Sequence, residues 1–276
     1  LYSFSFEPKL DWSKSFAPQS EILDYIRHCA HKYGVEPHIR YQRRVVAAEF
    51  DAASGYWQVS TATGETFVAR CFIPACGQLS RPMLPRIPGL ESFAGKQFHS
   101  ANWDHNYDLR GKRVAVIGSG ASAIQFVPVV AEQAQQALLF QRSAPYILPK
   151  PDRAYADWEQ ALMRRLPLLH RLSRSAYYLQ HEVRAVAFSK ITSTMALFKP
   201  KIARYMRRVV VDPVLRVKLT PDYPLGCKRI LMSNNYFQAL TRQNVDVLTQ
   251  EIVGISADAV LTGDGKRWPV DAIIFG

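Results

Sequence analysis

The residues best suited to chemistry form a glycine-rich run in the middle of the chain, Gly118-Ser119-Gly120-Ala121-Ser122-Ala123. It matches the pattern G-x-G-x-x-G/A and lies between an apolar run at 114–117 and a helix-forming segment at 121–134. In such a turn the first glycine permits the tight bend, the second lets the backbone approach a pyrophosphate, and the alanine lets the helix pack closely on the strand. The anion then meets the helix N-terminus. The run predicts a dinucleotide-binding βαβ unit; a chance glycine turn in a nucleotide-free α/β fold is the alternative.

The residues after the next apolar run, 137–140, indicate which dinucleotide is preferred. An NAD site carries Asp or Glu about 20 residues beyond the glycines to bind the ribose 2′-hydroxyl. Here the sequence is Gln141-Arg142-Ser143, with no carboxylate to repel a 2′-phosphate. Arg142 can form charge-assisted hydrogen bonds with such a phosphate. We therefore expect NADPH as the ligand, with Arg142 and Ser143 among its contacts.

Two further groups of residues are candidates for a functional role. His99 lies in a run from Phe93 to Asp104, FAGKQFHSANWD, and Lys228-Arg229 precede an apolar run. A histidine that only positions a linker is the structural alternative for His99. Ordinary surface charge is the alternative for Lys228 and Arg229. A guanidinium is always charged and can stabilise an anionic reaction intermediate, which makes Arg229 a catalytic candidate.

The run from Phe93 to Asp104 resembles the F-x-G-x-x-x-H-x-x-x-W-[P/D] signature of type I Baeyer–Villiger monooxygenases, which are class B flavin-dependent monooxygenases, at every fixed position. Related N- and S-oxygenating flavin monooxygenases have a similar run without the tryptophan. The resemblance covers nearly the whole chain and is least specific over 152–220. The other matching stretches are 16–26, 75–95, the glycine turn with Gln125, FQR at 140–142, and 224–244.

The resemblance implies an enzyme that uses NADPH, FAD and O2 to insert one oxygen atom next to the carbonyl of a small-molecule ketone, through a C4a-peroxyflavin, giving an ester or lactone. It implies that Lys228 reaches the NADP 2′-phosphate and that Arg229 points over the flavin. His99 would couple cofactor binding to domain movement. The resemblance also implies that Gln125 and the backbone near Val45 contact a bound cofactor. An N- or S-oxygenating flavin monooxygenase and a non-catalytic NADPH-binding module are the alternatives.

The elements that position these residues follow from periodicity. Residues 19–33 have helical spacing, with Ile22, Leu23, Ile26 and Cys29 on one face, and 45–77 predict a β-meander that ends in a buried strand. An internal echo aligns 64–75 with 265–276 without gaps, with Phe67 and Trp268 at matching positions. Two dinucleotide-binding domains that each close with a meander and a returning strand would give this repeat, although a chance hairpin repeat is the alternative.

We therefore expect an α/β fold with two Rossmann-like dinucleotide-binding domains, the NADPH domain being inserted in the FAD domain. Residues 1–77 are predicted to be a partial FAD domain, and 78–276 the NADPH domain with a helical excursion at about 152–220. Only one of the two expected glycine fingerprints occurs. We accordingly expect a fragment with an incomplete FAD domain that retains NADPH affinity, binds FAD poorly and is inactive alone.

Composition excludes several classes of protein. The net charge is +12, and 151–220, with 14 basic and 5 acidic residues, carries most of it, but no nucleic-acid-binding signature accompanies the charge. Solvated basic helix faces, which can attract an anionic ligand or a membrane surface, are the preferred interpretation. No apolar stretch reaches membrane-spanning length, and the four cysteines form no CxxC pair. His28 and His31 lack a third metal ligand nearby. We expect a cytoplasmic protein with reduced thiols and no metal site.

Overall fold

The computed structural model describes residues 2–77, 79, 81–190 and 199–276. The chain divides into two units, each formed by two stretches of sequence. The first unit contains residues 1–81 and 152–175, and the second contains residues 82–151 and 176–276.

The described residues form the following helices and strands. The α-helices are α1 Gln19–Lys32, α2 Ala123–Gln133, α3 Asp157–Arg165, α4 Pro167–Lys190, α5 Lys199–Val209, α6 Pro213–Lys218 and α7 Tyr236–Leu240. The first strands are β1 Val45–Asp51, β2 Tyr56–Thr61, β3 Thr66–Ala69, β4 Lys96–His99, β5 Arg113–Ile117, β6 Gln136–Phe140 and β7 Ile147–Leu148. The remaining strands are β8 Leu231–Met232, β9 Val245–Leu248, β10 Ile252–Ser256, β11 Ala259–Thr262, β12 Arg267–Pro269 and β13 Ala272–Phe275.

In the first unit, α1 forms where helical spacing predicts it, but its buried face is different. Tyr25 and Cys29 are buried, whereas Ile26 is exposed. The hydroxyl of Tyr25 donates to the carbonyl of Glu7 at 2.6 Å and accepts from the N–H of Phe4 at 2.7 Å. Because these bonds satisfy its polar end, the tyrosine can take the inward position and Ile26, one residue later, faces away.

The predicted meander is present as the antiparallel sheet β1-β2-β3. The prediction that it ends in a buried strand is wrong. β3 stops at Ala69, and the residues that follow, through Gly77, form no strand, with Ile73 being 83% exposed. No strand in the described part of the chain pairs with them, and Pro74 has no N–H to donate to a ladder.

The first part of the predicted helical excursion packs with the N-terminal residues. Lys14 and Ala154 form an antiparallel bridge, and flanking backbone bonds join Ser15 to Arg153 at 2.9 Å and Tyr155 to Ser13 at 3.0 Å. Residues 152–175 therefore belong to the first unit, which differs from the prediction that 152–220 lie wholly within the NADPH domain. Residues 191–198 of that excursion lie outside the described residues. The domain boundaries at 77 and 78 stay a prediction.

The second unit is built on a parallel five-stranded sheet in the order β4-β13-β5-β6-β9. The strands predicted at 114–117, 137–140 and 244–249 all lie in it. On one face α2 buries Ile124 and Val127 against Val114 and Leu139. Helix α2 begins at Ala123, two residues later than predicted, because 121 and 122 still belong to the turn. The α/β fold with a parallel sheet is confirmed.

The echo segment of the second unit completes this sheet. Strands β10, β11 and β12 form an antiparallel meander, and the chain then returns as β13 between β4 and β5. β13 is buried throughout. The returning strand predicted from the echo is thus present here, and it places the backbone of 276 beside the glycine turn.

Candidate dinucleotide site

The first glycine of the turn is required by its backbone and its neighbour. Gly118 has φ +116°, in the region that favours glycine. A Cβ at this position would lie 2.3 Å from the carbonyl oxygen of Gly276. The N–H of Gly118 donates to the carbonyl of Phe140 at 3.0 Å, which ties the turn to the end of β6. Both features hold the chain in a bend that leads directly from β5 toward α2.

The second glycine opens the turn. A Cβ on Gly120 would meet no atom within 4 Å, so the glycine keeps free the space in front of the helix. Within the described chain the N–H groups of Gly120, Ala121 and Ser122 donate no hydrogen bond, and no side chain caps α2. Ala123 is fully buried against the sheet, as the fingerprint predicts. The N-terminus of α2 therefore presents free donors to an anion.

A cavity of about 660 Å³ lies beside this turn, at the carboxyl ends of β5, β6 and β9. This is the edge at which open parallel sheets bind ligands. Three segments line the cavity: 117–119, 140–143 and 249–252. The last of these was missed in the sequence. Its position directly after the strand at 245–248 was the signal that could have found it.

The cavity wall brings together several predicted residues. The Oγ of Ser119 donates to the carbonyl of Ser143 at 3.0 Å, and Lys228 Nζ donates to Ser143 Oγ at 2.8 Å. Arg142 lines the cavity, is exposed, and has no hydrogen bond or ion pair with any described residue. Lys228 is thus held at Ser143, the residue that directly follows Arg142 in the chain.

Lys228 has a support that was not predicted from the sequence. Its ammonium lies 4.3 Å from the ring centroid of Tyr223, a cation–π contact. Tyr146 donates its hydroxyl to the carbonyl of Tyr223 at 2.7 Å, and the two rings pack edge to face. Burial raises the pKa of both tyrosines, so they stay neutral beside the lysine. This pair fixes the loop that carries Lys228.

Several predicted residues do not line the cavity, among them Gln125, Arg229 and Val45. Gln125 is exposed on α2 and donates its amide to the carbonyl of Ala121 at 2.7 Å. Arg229 is exposed and makes no hydrogen bond or ion pair with the part of the chain that the structure describes. Val45 belongs to the first unit, where it opens β1 and pairs with Thr61. Their roles as cofactor contacts or catalytic group stay predictions.

The run around His99 makes mainly structural contacts in this unit. His99 ends β4, and its Nδ1 accepts the N–H of Ala101 at 3.0 Å, which caps a short 3-10 helix at Ser100–Asn102. Trp103 packs against Phe98 and Phe126 with ring centroids 5.2 and 5.4 Å away. A Cβ on Gly95 would lie 2.5 Å from the carbonyl oxygen of Asp271. These contacts explain the residue types at three signature positions through packing and capping.

Comparison with known proteins decides the family. A family model described as flavin-binding monooxygenase-like matches residues 2–195. The chain belongs to this family. A Baeyer–Villiger monooxygenase of Pseudomonas aeruginosa is 44% identical over 276 residues, which cover 100% of this chain and 52% of that protein. One of Streptomyces coelicolor is 42% identical, with 100% and 53% covered. The chain spans about half the length of these relatives.

Solved structures of flavin-binding monooxygenases agree with the fold. An oxidized steroid monooxygenase bound to NADP has a TM-score of 0.86 at 31% identity, with 100% of this chain and 60% of that chain covered. OTEMO in complex with FAD and NADP has a TM-score of 0.83 at 28% identity, with 96% and 58% covered. The resemblance to Baeyer–Villiger monooxygenases is thereby confirmed for this flavin-binding monooxygenase-like chain.

Proposed function

We propose that the second unit binds NADPH and that a protein with the full length of the relatives uses it, with FAD and O2, to insert one oxygen atom next to a ketone carbonyl. The observation that carries the proposal is the cavity at the glycine turn. Arg142 lines the cavity, and the open position at Gly120 and the free N–H groups before α2 directly follow its lining segment 117–119 in the chain. A pyrophosphate placed at the turn would meet the positive end of the helix dipole.

The cations beside the cavity support NADPH rather than NADH. Arg142 offers a planar set of donors that suits a phosphate, and Lys228 offers a second positive charge close by. The Ser143 hydroxyl, which accepts from Lys228, holds that charge near the end of β6. The segment of the lining that contains Arg142, residues 140–143, has no acidic residue, and Glu251 lies in the separate segment 249–252. A 2′-phosphate would therefore lie near basic side chains, at the position where an NAD site has an acidic residue.

The described residues provide a more complete site for NADPH than for FAD. FAD, when bound, supplies the redox chemistry with O2, while the protein binds and orients the reactants. The first unit has no strand–glycine turn–helix among its described residues, so it fits only part of what a second dinucleotide requires. Arg229, two residues beyond Cys227 and exposed, is the group we propose for stabilising an anionic reaction intermediate.

The test of the nucleotide proposal is Arg142→Ala, titrated with NADPH and with NADH by ligand fluorescence. Charge-assisted hydrogen bonds are strong, so we expect NADPH affinity to fall about 30-fold and NADH affinity to change less than about two-fold. Arg86→Ala removes an exposed arginine outside the cavity and serves as the matched control. Equal losses for both nucleotides in Arg142→Ala would contradict the assignment.

The oxygen-insertion proposal needs a protein of the relatives' full length. Such a protein, supplied with NADPH, O2 and a ketone and a thioether side by side, should form an ester or lactone. Arg229→Ala should leave NADPH oxidation by the flavin intact and suppress ester formation. Sulfoxide as the sole product would favour the N- or S-oxygenating class, and nucleotide binding without any product would favour a binding module.

A further inference from the structure

A surface of the second unit combines unpaired basic residues with exposed valines. Residues 199–220 contain seven Lys or Arg and one Asp, a local net charge of +6. Helix α5 buries Ile202, Tyr205 and Met206, which turns its basic side chains outward. We call the resulting patch the basic–valine surface, and it consists of Lys199, Lys201, Arg204, Arg207, Arg208, Val211, Val214 and Val217.

The three valines are the unusual part of this surface. Val211, Val214 and Val217 are 78%, 65% and 76% exposed. Val214 and Val217 lie one turn apart on α6 and so share a side of the helix. The helix is held in this orientation at its start, where Asp212 accepts the N–H of Val214 at 2.9 Å, and at its end, where Leu219 is buried. At least two of the three valines therefore share one exposed side of α6, and an exposed apolar patch beside charged residues is a feature of binding surfaces.

The basic residues are also without counter-charges. None of the seven forms an ion pair with a carboxylate in the described ranges. Arg216 donates instead to the carbonyls of Val210 and Val211, which fixes the turn between α5 and α6. The cations of α5 are therefore exposed, and the segment that carries the exposed valines directly follows α5 in the chain.

We propose that the basic–valine surface binds the surface of an anionic lipid membrane. Lys and Arg near a bilayer are attracted by anionic headgroups, and short apolar side chains between them enter the boundary between headgroups and acyl chains. A single-stranded nucleic acid would instead call for exposed aromatic rings on which bases stack, and the eight residues of this surface include none. None of the described helices is both long and apolar enough to cross a membrane.

The first experiment is sedimentation of the 276-residue chain with lipid vesicles. We expect binding to vesicles of phosphatidylcholine with phosphatidylglycerol at about 50 mM salt and release at about 500 mM salt, because salt screens the attraction. Vesicles of phosphatidylcholine alone should leave the protein in the supernatant. Absence of sedimentation with the anionic vesicles at low salt overturns the proposal.

Two triple variants then distinguish binding through this particular surface from an effect of the protein's net charge. Each basic residue near an anionic bilayer strengthens partitioning about five-fold, so Lys201→Gln/Arg204→Gln/Arg208→Gln should weaken it about 100-fold. Arg70→Gln/Arg81→Gln/Arg86→Gln removes the same charge elsewhere and should retain binding. Equal losses in both triple variants would assign the effect to net charge and overturn the proposal. NADPH titration checks that each variant is folded.

The valines give the second test. Val214→Ser/Val217→Ser keeps every charge and removes apolar area, so we expect the partition coefficient to fall roughly ten-fold. Both side chains are exposed, and the substitution should not disturb folding. Unchanged vesicle binding in this variant would show that the attraction is electrostatic alone, and it would overturn the proposal that the valines enter the bilayer boundary.

Discussion

The two echo segments share a turn and then diverge. In the first, the N–H of Thr61 donates to the carbonyl of Glu65 at 2.9 Å, and in the second Thr262 donates to Lys266 at 3.0 Å. Both threonines are buried. The glycines three residues later, Gly64 and Gly265, have φ of +84° and +78°. The two hairpins thus share the same backbone hydrogen bond and a positive φ at the matching glycine.

Beyond the hairpin, only the second segment becomes a strand. Ile274 of β13 pairs with Phe98 on one side and Val116 on the other and is fully buried. The matching residue, Ile73, is 83% exposed. Both segments are apolar, so their composition does not explain the difference. A short apolar run becomes a buried strand where strands lie on both sides of it and helices or loops cover both faces.

The largest expected effect comes from replacing each of the two matching isoleucines, Ile274 and Ile73, by a charged residue. Ile274→Asp would bury a carboxylate between two strands, and we expect it to destabilise the second unit by more than about 4 kcal/mol or prevent its folding. Ile73→Asp should change stability by less than about 0.5 kcal/mol. Chemical denaturation followed by circular dichroism measures both. Similar losses in the two variants would contradict the difference in burial.

A smaller effect is expected at the residue just before each apolar run, which is Asp271 before 272–275 and Arg70 before 71–75. Asp271 accepts the N–H of Arg113 at 2.8 Å and its guanidinium at 2.9 Å, and these bonds with Arg113 lower the pKa of the carboxyl. Arg70 occupies the matching position and is exposed. Asp271→Asn should cost about 1 kcal/mol at pH 7, allowing for solvent screening, whereas Arg70→Gln should cost nearly nothing.

The Asp271 effect should depend on pH in a defined direction. A lowered pKa in the folded state gives stability that is present above the ordinary carboxyl pKa and is lost as the pH falls through the folded pKa. The difference between the parent protein and Asp271→Asn should therefore be constant from about pH 5 to 8 and shrink below about pH 4. Denaturation midpoints measured across this range check it. A difference that grew on acidification would rule out the ion pair as its cause.

The smallest difference between the two segments is expected at their turn glycines. Gly64→Ala and Gly265→Ala each place a Cβ at positive φ, and neither Cβ would meet an atom within 4 Å. Only backbone strain remains, which costs about 1 kcal/mol. Thermal denaturation should shift by similar free energies in both. A markedly larger loss at one position would show that the two turns are not equivalent.

The sequence predicted the parts of the molecule that depend on local pattern. The glycine fingerprint, the strands on either side of α2 and the returning strand at 272–275 all follow from short motifs with fixed spacing. The family resemblance also rested on such motifs. Local pattern was sufficient because a strand, a tight turn and a helix N-terminus in direct succession leave few other arrangements.

The features that were missed depend on residues distant in the chain. Residues 249–252 enter the cavity wall only because β9 pairs with β6, and Tyr223 supports Lys228 only because Tyr146 holds its loop. The failed expectation of a buried strand after β3 has the same origin. Apolar content at 71–75 indicates that a strand can form, but burial is decided by neighbouring strands, which periodicity does not reveal.

The Ser143 contacts have a consequence for the thermodynamics of ligand binding. Its carbonyl accepts from Ser119 in the glycine turn, and its hydroxyl accepts from Lys228 in a separate loop. Because these contacts are made within the protein itself, they order the two segments relative to each other, and the conformational entropy this costs is lost during folding rather than during binding. A ligand that contacts only one of them would still add to the order of the other. Slower amide hydrogen exchange should therefore appear in both segments together.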